Sequence, residues 1–127
     1  MGQGTTNQYT SIANVLGNII QKNREKKKIG QEELARKMNI NRVTMSKIEN
    51  GESEISISIL VKLNEEFGVN LMQQLDEEKE LLEKAGFKVY SSNKDLPGSK
   101  KNDSKTGKFI AGAIALAAII AYLNRTK

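Results

Sequence analysis

The sequence predicts an all-α fold with five helices, and three observations support this prediction. Apolar residues recur at helical spacing in five segments between residues 10 and 86. Residues that favour the start of a helix, or glycines that favour its end, flank most of these segments. The chain contains one proline among its 127 residues, and Pro97 lies beyond the fifth segment. The five segments therefore have no internal proline to break them.

The first segment is a helix that begins at Thr10 or Ser11, since either hydroxyl is a suitable N-cap. It continues to the charged residues 24–28. Its apolar positions recur every three or four residues, as expected for one buried helix face. They are Ile12, Val15, Leu16, Ile19 and Ile20.

Two short helices follow, and a tight turn over residues 39–41 joins them. The second helix covers about residues 31–38, and the third covers about residues 42–50. Asn41 is a good N-cap for the third helix, and Gly51 supplies a left-handed stop after it. We expect Leu34, Ala35, Met38, Met45 and Ile48 to face inward.

The fourth helix starts near Ser56 and ends at Gly68, and the fifth starts after Asn70 and ends at Gly86. Residues 55–59 alternate between isoleucine and serine, as in a strand. The apolar spacing continues through Leu60 and Leu63, however, and this favours a helix. The fifth helix carries Leu71, Leu75, Leu81, Leu82 and Ala85 on its apolar side.

Four parts of the chain are predicted. Residues 1–9 show no apolar period and form a loose arm, and residues 10–86 form the helical domain. Residues 87–108 begin with a short alternating strand over 87–90 and continue as a flexible basic linker. Residues 109–123 (FIAGAIALAAIIAYL) form a hydrophobic helix.

The composition excludes several classes of protein. The chain has no cysteine and no histidine, which excludes zinc fingers, zinc hydrolases and nucleophile–histidine enzymes. We therefore expect no metal, no cofactor and no enzymatic activity. The acidic residues of 76–83 are interpreted as the solvated face of one helix. The net charge is +5, and residues 84–127 alone carry nine basic and two acidic side chains, a positive block that suits either nucleic acid or anionic lipid.

Residues 16–75 resemble the repressor-type (Cro/C1, or Xre) helix-turn-helix family. Several separate matches occur in order, so the resemblance is more specific than one short motif. They are Ile19, Ile20, Arg24 and Glu25, then residues 31–35 (QEELA), 40–42 (INR), 45–51 (MSKIENG) and 67–71 (FGVNL). One departure is Gly30, which stands where the family usually places a Ser or Thr cap.

The resemblance implies sequence-specific binding of double-stranded DNA, with the helix at about 42–50 in the major groove. Arg42 and Lys47 would donate to guanine, and Val43 or Thr44 would contact a thymine methyl group. Gln31 would meet phosphate at the start of the second helix. The implied DNA contacts are Gln31, Asn41, Arg42, Val43, Thr44, Ser46, Lys47 and Asn50. Glu49 is interpreted as structural, because a carboxylate would repel phosphate.

We expect a homodimer on two half-sites, since this class gains its affinity from dimers. The fifth helix and the 87–90 strand are candidates for the dimer contact, and packing within one chain is the alternative for both.

The 15-residue apolar run spans about 22 Å as a helix, which is short of a hydrocarbon core of about 30 Å. Snorkelling and bilayer thinning can close this gap, so we expect membrane insertion; burial in an oligomer and a disordered or otherwise placed tail are the alternatives. Lysines precede the run in excess, which would keep the helical domain in the cytoplasm.

The sequence therefore predicts a transcriptional regulator, with repression as the expected action and a membrane tether at its C-terminus. Two alternatives stay open. One is an antitoxin-like or immunity protein of the same fold that acts through a protein partner. The other is a membrane-anchored scaffold that has lost DNA binding.

Overall fold

The computed structural model describes residues 8–96 and the backbone of residues 108–109. The elements run in the order β1 (Gln8–Ser11), α1 (Ile12–Lys26), α2 (Gln31–Lys37), α3 (Arg42–Glu49), α4 (Ile57–Phe67), α5 (Leu71–Lys84), β2 (Lys88–Tyr90), a short 3-10 helix (Asn93–Asp95) and β3 (Lys108–Phe109). The described part is mostly helical, and the prediction of five α-helices is confirmed.

Side-chain caps start four of the five helices. Ser11, Asn41, Ser56 and Asn70 each accept a hydrogen bond from the backbone N–H three residues later, at 2.8–3.2 Å. Such caps satisfy N–H groups that have no partner inside the helix. Gly30 precedes α2 and makes no side-chain cap. Residues 57–59 lie inside α4, so this segment is helical and not a strand.

One hydrophobic core joins the five helices. Its fully buried members come from every helix and include Ile19, Ile20, Leu34, Met45, Ile48, Leu63, Leu71 and Leu82. Phe87, just after α5, is also buried in this core. The inward residues predicted for the second and third helices, which include Met38, are all buried.

A small parallel sheet lies beside the helices, and the sequence did not predict it as such. β1 is its central strand, with β2 on one side and β3 on the other. Tyr9 pairs with Lys88 in one ladder and with Phe109 in the other. The rings of Tyr9 and Tyr90 meet edge to face, with centroids 6.1 Å apart. The fold is thus five helices with an added sheet.

The sheet changes three expectations. Gln8 and Tyr9 belong to β1, so they are not part of a loose arm, and Tyr9 is buried by its strand pairing and its contact with Tyr90. The segment that contains β2 pairs with β1 of its own chain, which is the intrachain alternative to a dimer contact. Phe109, the first residue of the predicted hydrophobic helix, lies in β3.

The rest of the predicted hydrophobic helix, residues 110–123, lies outside the described residues, as do residues 1–7 and 97–107. Within the part of the chain that is described, every helix is too short or too polar to cross a bilayer.

Candidate nucleic-acid interface

Helices α2 and α3 form a compact pair around a four-residue turn. The turn bends back because Asn39 adopts a left-handed conformation (φ 64°) and the Ile40 N–H donates to the Ala35 carbonyl at 3.0 Å. Asn41 then caps α3 through the Thr44 N–H at 2.8 Å. Buried apolar side chains of both helices, including Leu34, fix the angle between them. This is a rigid helix–turn–helix unit.

The exposed side chains of α3 lie at its start and along one side. Arg42, Val43 and Lys47 are exposed, and Thr44 and Ser46 are partly exposed. Met45 and Ile48, in contrast, are buried in the core. We call Arg42, Val43, Ser46 and Lys47 the α3 front. Because the buried side is anchored, the α3 front has a fixed orientation.

Val43 is one of four large hydrophobic residues that are exposed in the described part of the chain, with 57% of its surface accessible. It lies between two positive residues of the α3 front, Arg42 and Lys47. Contact between an exposed valine and water is unfavourable, so packing of this side chain against a methyl group of a ligand would lower the free energy.

A polar network ties the start of α3 to α1 and α2. Glu49 is 3% exposed, and its carboxylate accepts from Arg24 Nε at 2.7 Å and from Arg24 Nη2 at 3.1 Å. Gln31 Nε2 donates to the same carboxylate at 2.9 Å. Gln31 Oε1 in turn accepts from Arg42 Nη1 at 3.4 Å. The network therefore links a buried ion pair to a side chain of the α3 front.

The ion pair has the geometry that burial requires. Arg24 forms a two-point contact with Glu49 and gives a further hydrogen bond to the Ile29 carbonyl at 3.0 Å. Each carboxylate oxygen of Glu49 accepts from at least one N–H group, so neither is left without a partner. A buried ion pair offsets its desolvation cost only when its hydrogen bonds are satisfied in this way.

The structure also places the remaining residues that the sequence singled out. Gln31 lies beside the α3 front, although both ends of its amide contact protein groups. Asn41 serves as a helix cap, and Asn50 is an exposed residue at the end of α3. Glu49 is buried and paired, as a structural residue should be. Arg24 matches the family pattern of the first helix, but its contact with Glu49, 25 positions away, was not predicted from the sequence.

Close packing against α1 fixes the far end of α3. A Cβ placed on Gly17 of α1 would meet the carbonyl oxygens of Ile48 and Glu49, the latter at 2.6 Å. Asn93, in the short 3-10 helix, donates from Nδ2 to the Gly51 carbonyl at 2.7 Å. The C-terminal end of α3 is therefore held by residues distant in sequence.

Over residues 8–96, no group of three or more acidic side chains lies close enough together to hold a metal ion. The site consists of amide, hydroxyl, guanidinium, ammonium and apolar groups. These groups donate to acceptors and contact methyl groups, and such acceptors and methyls line the major groove of DNA.

The geometry is that of the helix-turn-helix proteins. In this class, a tight turn joins two short helices, and a small helical core holds the second helix with one side exposed. Comparison with protein families agrees. Residues 20–73 match the family model described as helix-turn-helix (HTH_3), which is the Cro/C1 type. The resemblance of this segment to the Cro/C1-type helix-turn-helix family is thereby confirmed.

Among solved structures, the chain is similar to the crystal structure of the clp gene regulator ClgR from Corynebacterium glutamicum. The identity is 24%, the match covers 52% of this chain and 70% of that chain, and the TM-score is 0.49. A comparison with curated proteins gives no match.

Proposed function

We propose that this protein is a transcriptional regulator, with repression as its action, that binds double-stranded DNA sequence-specifically through the α3 front. The family match over residues 20–73 supports DNA binding and transcription regulation as the general activity. The observation that carries the specific proposal is the α3 front itself, in which exposed side chains stand on a helix whose other side is buried.

The residues of the α3 front suit the groups displayed in the major groove. Arg42 lies at the first position of α3, where a recognition helix enters the groove, and its guanidinium can donate to guanine O6 and N7. Lys47, about one turn and a half further on, can donate to a neighbouring base. Val43 supplies the apolar contact that a thymine methyl group requires.

The polar network supports this assignment because it limits the freedom of Arg42. A long side chain loses rotamer entropy when it binds, and a prior contact reduces that loss. Gln31 provides such a contact and is itself fixed by the buried Glu49. Gln31, Asn41 and Asn50 complete the proposed site as residues that contact the DNA backbone beside the groove, and Thr44 and Ser46 adjoin the bases.

We also propose a homodimer on DNA. One eight-residue helix presents only a few base contacts, and two copies on half-sites about 34–36 Å apart multiply the affinity. The half-site spacing in bound DNA is the direct test of this part.

Selection from random duplexes with the full chain tests the proposed function. We expect one enriched sequence made of two similar half-sites with centres about 10 base pairs apart. Recovery of unenriched sequences would overturn sequence-specific binding. The fold would then serve a protein partner, as in an antitoxin-like or scaffold protein.

A membrane tether is a separate part of the proposal, and the apolar sequence after Phe109 supports it. Fractionation of cells that express the full chain or residues 1–108 tests it, with the helical domain expected on the cytoplasmic side. The tether predicts that only the full chain sediments with membranes. Equal recovery of both in the soluble fraction would exclude a tether, and a change in oligomer size alone would indicate an oligomer core.

A further inference from the structure

The turn between α1 and α2 carries three consecutive lysines that the proposed base contacts do not use. We call Lys26, Lys27 and Lys28 the lysine turn. All three side chains are exposed, and none takes part in the ion pairs found over residues 8–96. Lys26 and Lys27 lie at the C-terminus of α1, where positive charges interact favourably with the helix dipole. Lys28 lies beyond the helix, so the dipole does not explain it.

The backbone of Lys28 is left-handed, with φ 59°. Its N–H donates to the Glu25 carbonyl at 3.0 Å, and the Ile29 N–H donates to the Arg24 carbonyl at 3.1 Å. Together these bonds close the end of α1. Glycine adopts this conformation without steric cost, whereas a residue with a Cβ is strained there. The left-handed φ of Lys28 is therefore a strained conformation for lysine, and backbone strain of this kind motivates a hypothesis of function.

The lysine turn has a fixed position relative to the α3 front. Arg24 Nη1 donates to the carbonyl of Ile29, the residue that follows the turn, at 3.0 Å. The same guanidinium belongs to the polar network that reaches Arg42. A continuous series of hydrogen bonds thus connects the lysine turn with the residue that we place at the groove.

The position also suits the DNA backbone. When the second helix of a helix-turn-helix unit enters the major groove, the first helix crosses the phosphate backbone. The lysine turn leads directly into that first helix, α2. The first turn of α2 carries exposed Glu32 and Glu33, which would repel phosphates. Positive charge immediately before them offsets this repulsion.

We propose that the lysine turn binds the backbone phosphates that flank the base-contacting site, with Lys28 as the principal contact. This inference rests on the proposed function, because it assumes that the α3 front lies in the major groove. It adds a sequence-independent contact that contributes affinity and salt dependence without contributing base preference.

The experiment compares salt dependence in full-length variants. Wild type, Lys28→Gly and the triple variant Lys26→Gln, Lys27→Gln, Lys28→Gln are titrated from about 50 to about 200 mM KCl. Two duplexes of equal length are used, one enriched by the wild type and one of unrelated sequence. Lys84→Gln is the matched control, since Lys84 is already paired with Glu80 at 3.6 Å on α5.

We expect the slope of log affinity against log salt to become shallower by about 0.9 for each phosphate that the variant chain no longer neutralises. The triple variant should bind both duplexes more weakly by a similar factor, so its sequence preference should not change. Lys28→Gly should lower the slope while raising the midpoint of thermal unfolding, which excludes misfolding as the cause. Lys84→Gln should leave the slope unchanged.

An unchanged slope in the triple variant overturns the phosphate contact but leaves the proposed function standing, provided that the enriched duplex is still preferred. Disappearance of the preference for the enriched duplex with an unchanged slope also overturns it, because the lysines would then act on base selection. Absence of any DNA binding by the wild type overturns both proposals.

Discussion

Replacement of Glu49 by glutamine removes the charge at the centre of the polar network while preserving the size of the side chain. Both carboxylate oxygens of Glu49 accept hydrogen bonds, from Arg24 Nε and Nη2 and from Gln31 Nε2. Glutamine has one accepting oxygen, and its NH2 group must face at least one of these donors. The buried guanidinium of Arg24 also loses its counter-charge.

The expected loss follows from the burial of the pair. The Arg24 side chain is 12% exposed and that of Glu49 is 2% exposed, so water screens the pair poorly. Removal of one partner of a buried ion pair costs about 3–5 kcal/mol. Because glutamine keeps one acceptor, we expect Glu49→Gln to lower the free energy of unfolding by about 2–4 kcal/mol. A small domain has a total of about 5–15 kcal/mol, so this is a large fraction.

Urea unfolding followed by circular dichroism measures this loss, and the slope with urea should stay the same if only stability changes. Glu52→Gln is the control, since Glu52 is exposed just beyond α3, and it should change stability by no more than about 0.5 kcal/mol. Equal effects of Glu49→Gln and Glu52→Gln would refute the reasoning.

A double variant separates stability from positioning. Arg24→Met combined with Glu49→Leu removes both charges and fills similar volume, and such replacements are often neutral. We expect stability to recover relative to Glu49→Gln. Affinity of the double variant for the enriched duplex should be lower than that of the wild type, because Gln31 then has no carboxylate to fix it beside Arg42.

Two further substitutions test the packing and the electrostatics. Gly17→Ala should lower the free energy of unfolding by about 1–3 kcal/mol, because the new Cβ meets the backbone of Ile48 and Glu49. This loss should outweigh the better helix propensity of alanine. An equal or higher melting temperature would show that α1 and α3 are not in close contact. Burial raises the pKa of Glu78 from 4.5 to about 7, and the nearby Lys22 partly opposes this shift. The folded state therefore binds the proton more tightly than the unfolded state does. The free energy of unfolding should accordingly fall as the pH rises from about 4.5 to about 7. Glu78→Gln should remove this loss and be more stable than the wild type at about pH 8, by roughly 1–2 kcal/mol after allowance for solvent screening. The same dependence of melting temperature on pH in both proteins, from about pH 5 to about pH 8, would contradict this prediction.

Features that depend on residues close together in the sequence were predicted correctly. Asn41 and Asn70 were predicted as caps and are caps, since a cap depends on a residue and the N–H three positions later. The burial of Met45 and Ile48 followed from helical spacing. The helical interpretation of residues 57–59 was confirmed because apolar spacing beyond them extended over two further turns.

Contacts between distant parts of the chain were not predictable in the same way. β1 and β2 pair with each other although all five helices lie between them in the sequence. Strands of three or four residues carry too little alternation to reveal which segment they pair with. The contact of Arg24 with Glu49 depends on how α1 crosses α3. The left-handed Lys28 had no glycine to signal it. Which residues contact DNA is likewise a matter of the complex, so the α3 front remains a prediction.

The most direct test of base recognition by the α3 front is a base-substitution scan of the enriched duplex with wild type, Arg42→Ala and Arg36→Ala. Arg36 is an exposed arginine of α2 outside the proposed base-contacting site, so its removal should weaken binding to all duplexes alike or not at all. For Arg42→Ala we expect discrimination to disappear at one base pair in each half-site, worth about 1–3 kcal/mol, with the other positions unaffected. Unchanged discrimination at every position in Arg42→Ala would contradict a base contact by Arg42 and, with it, the placement of α3 in the groove.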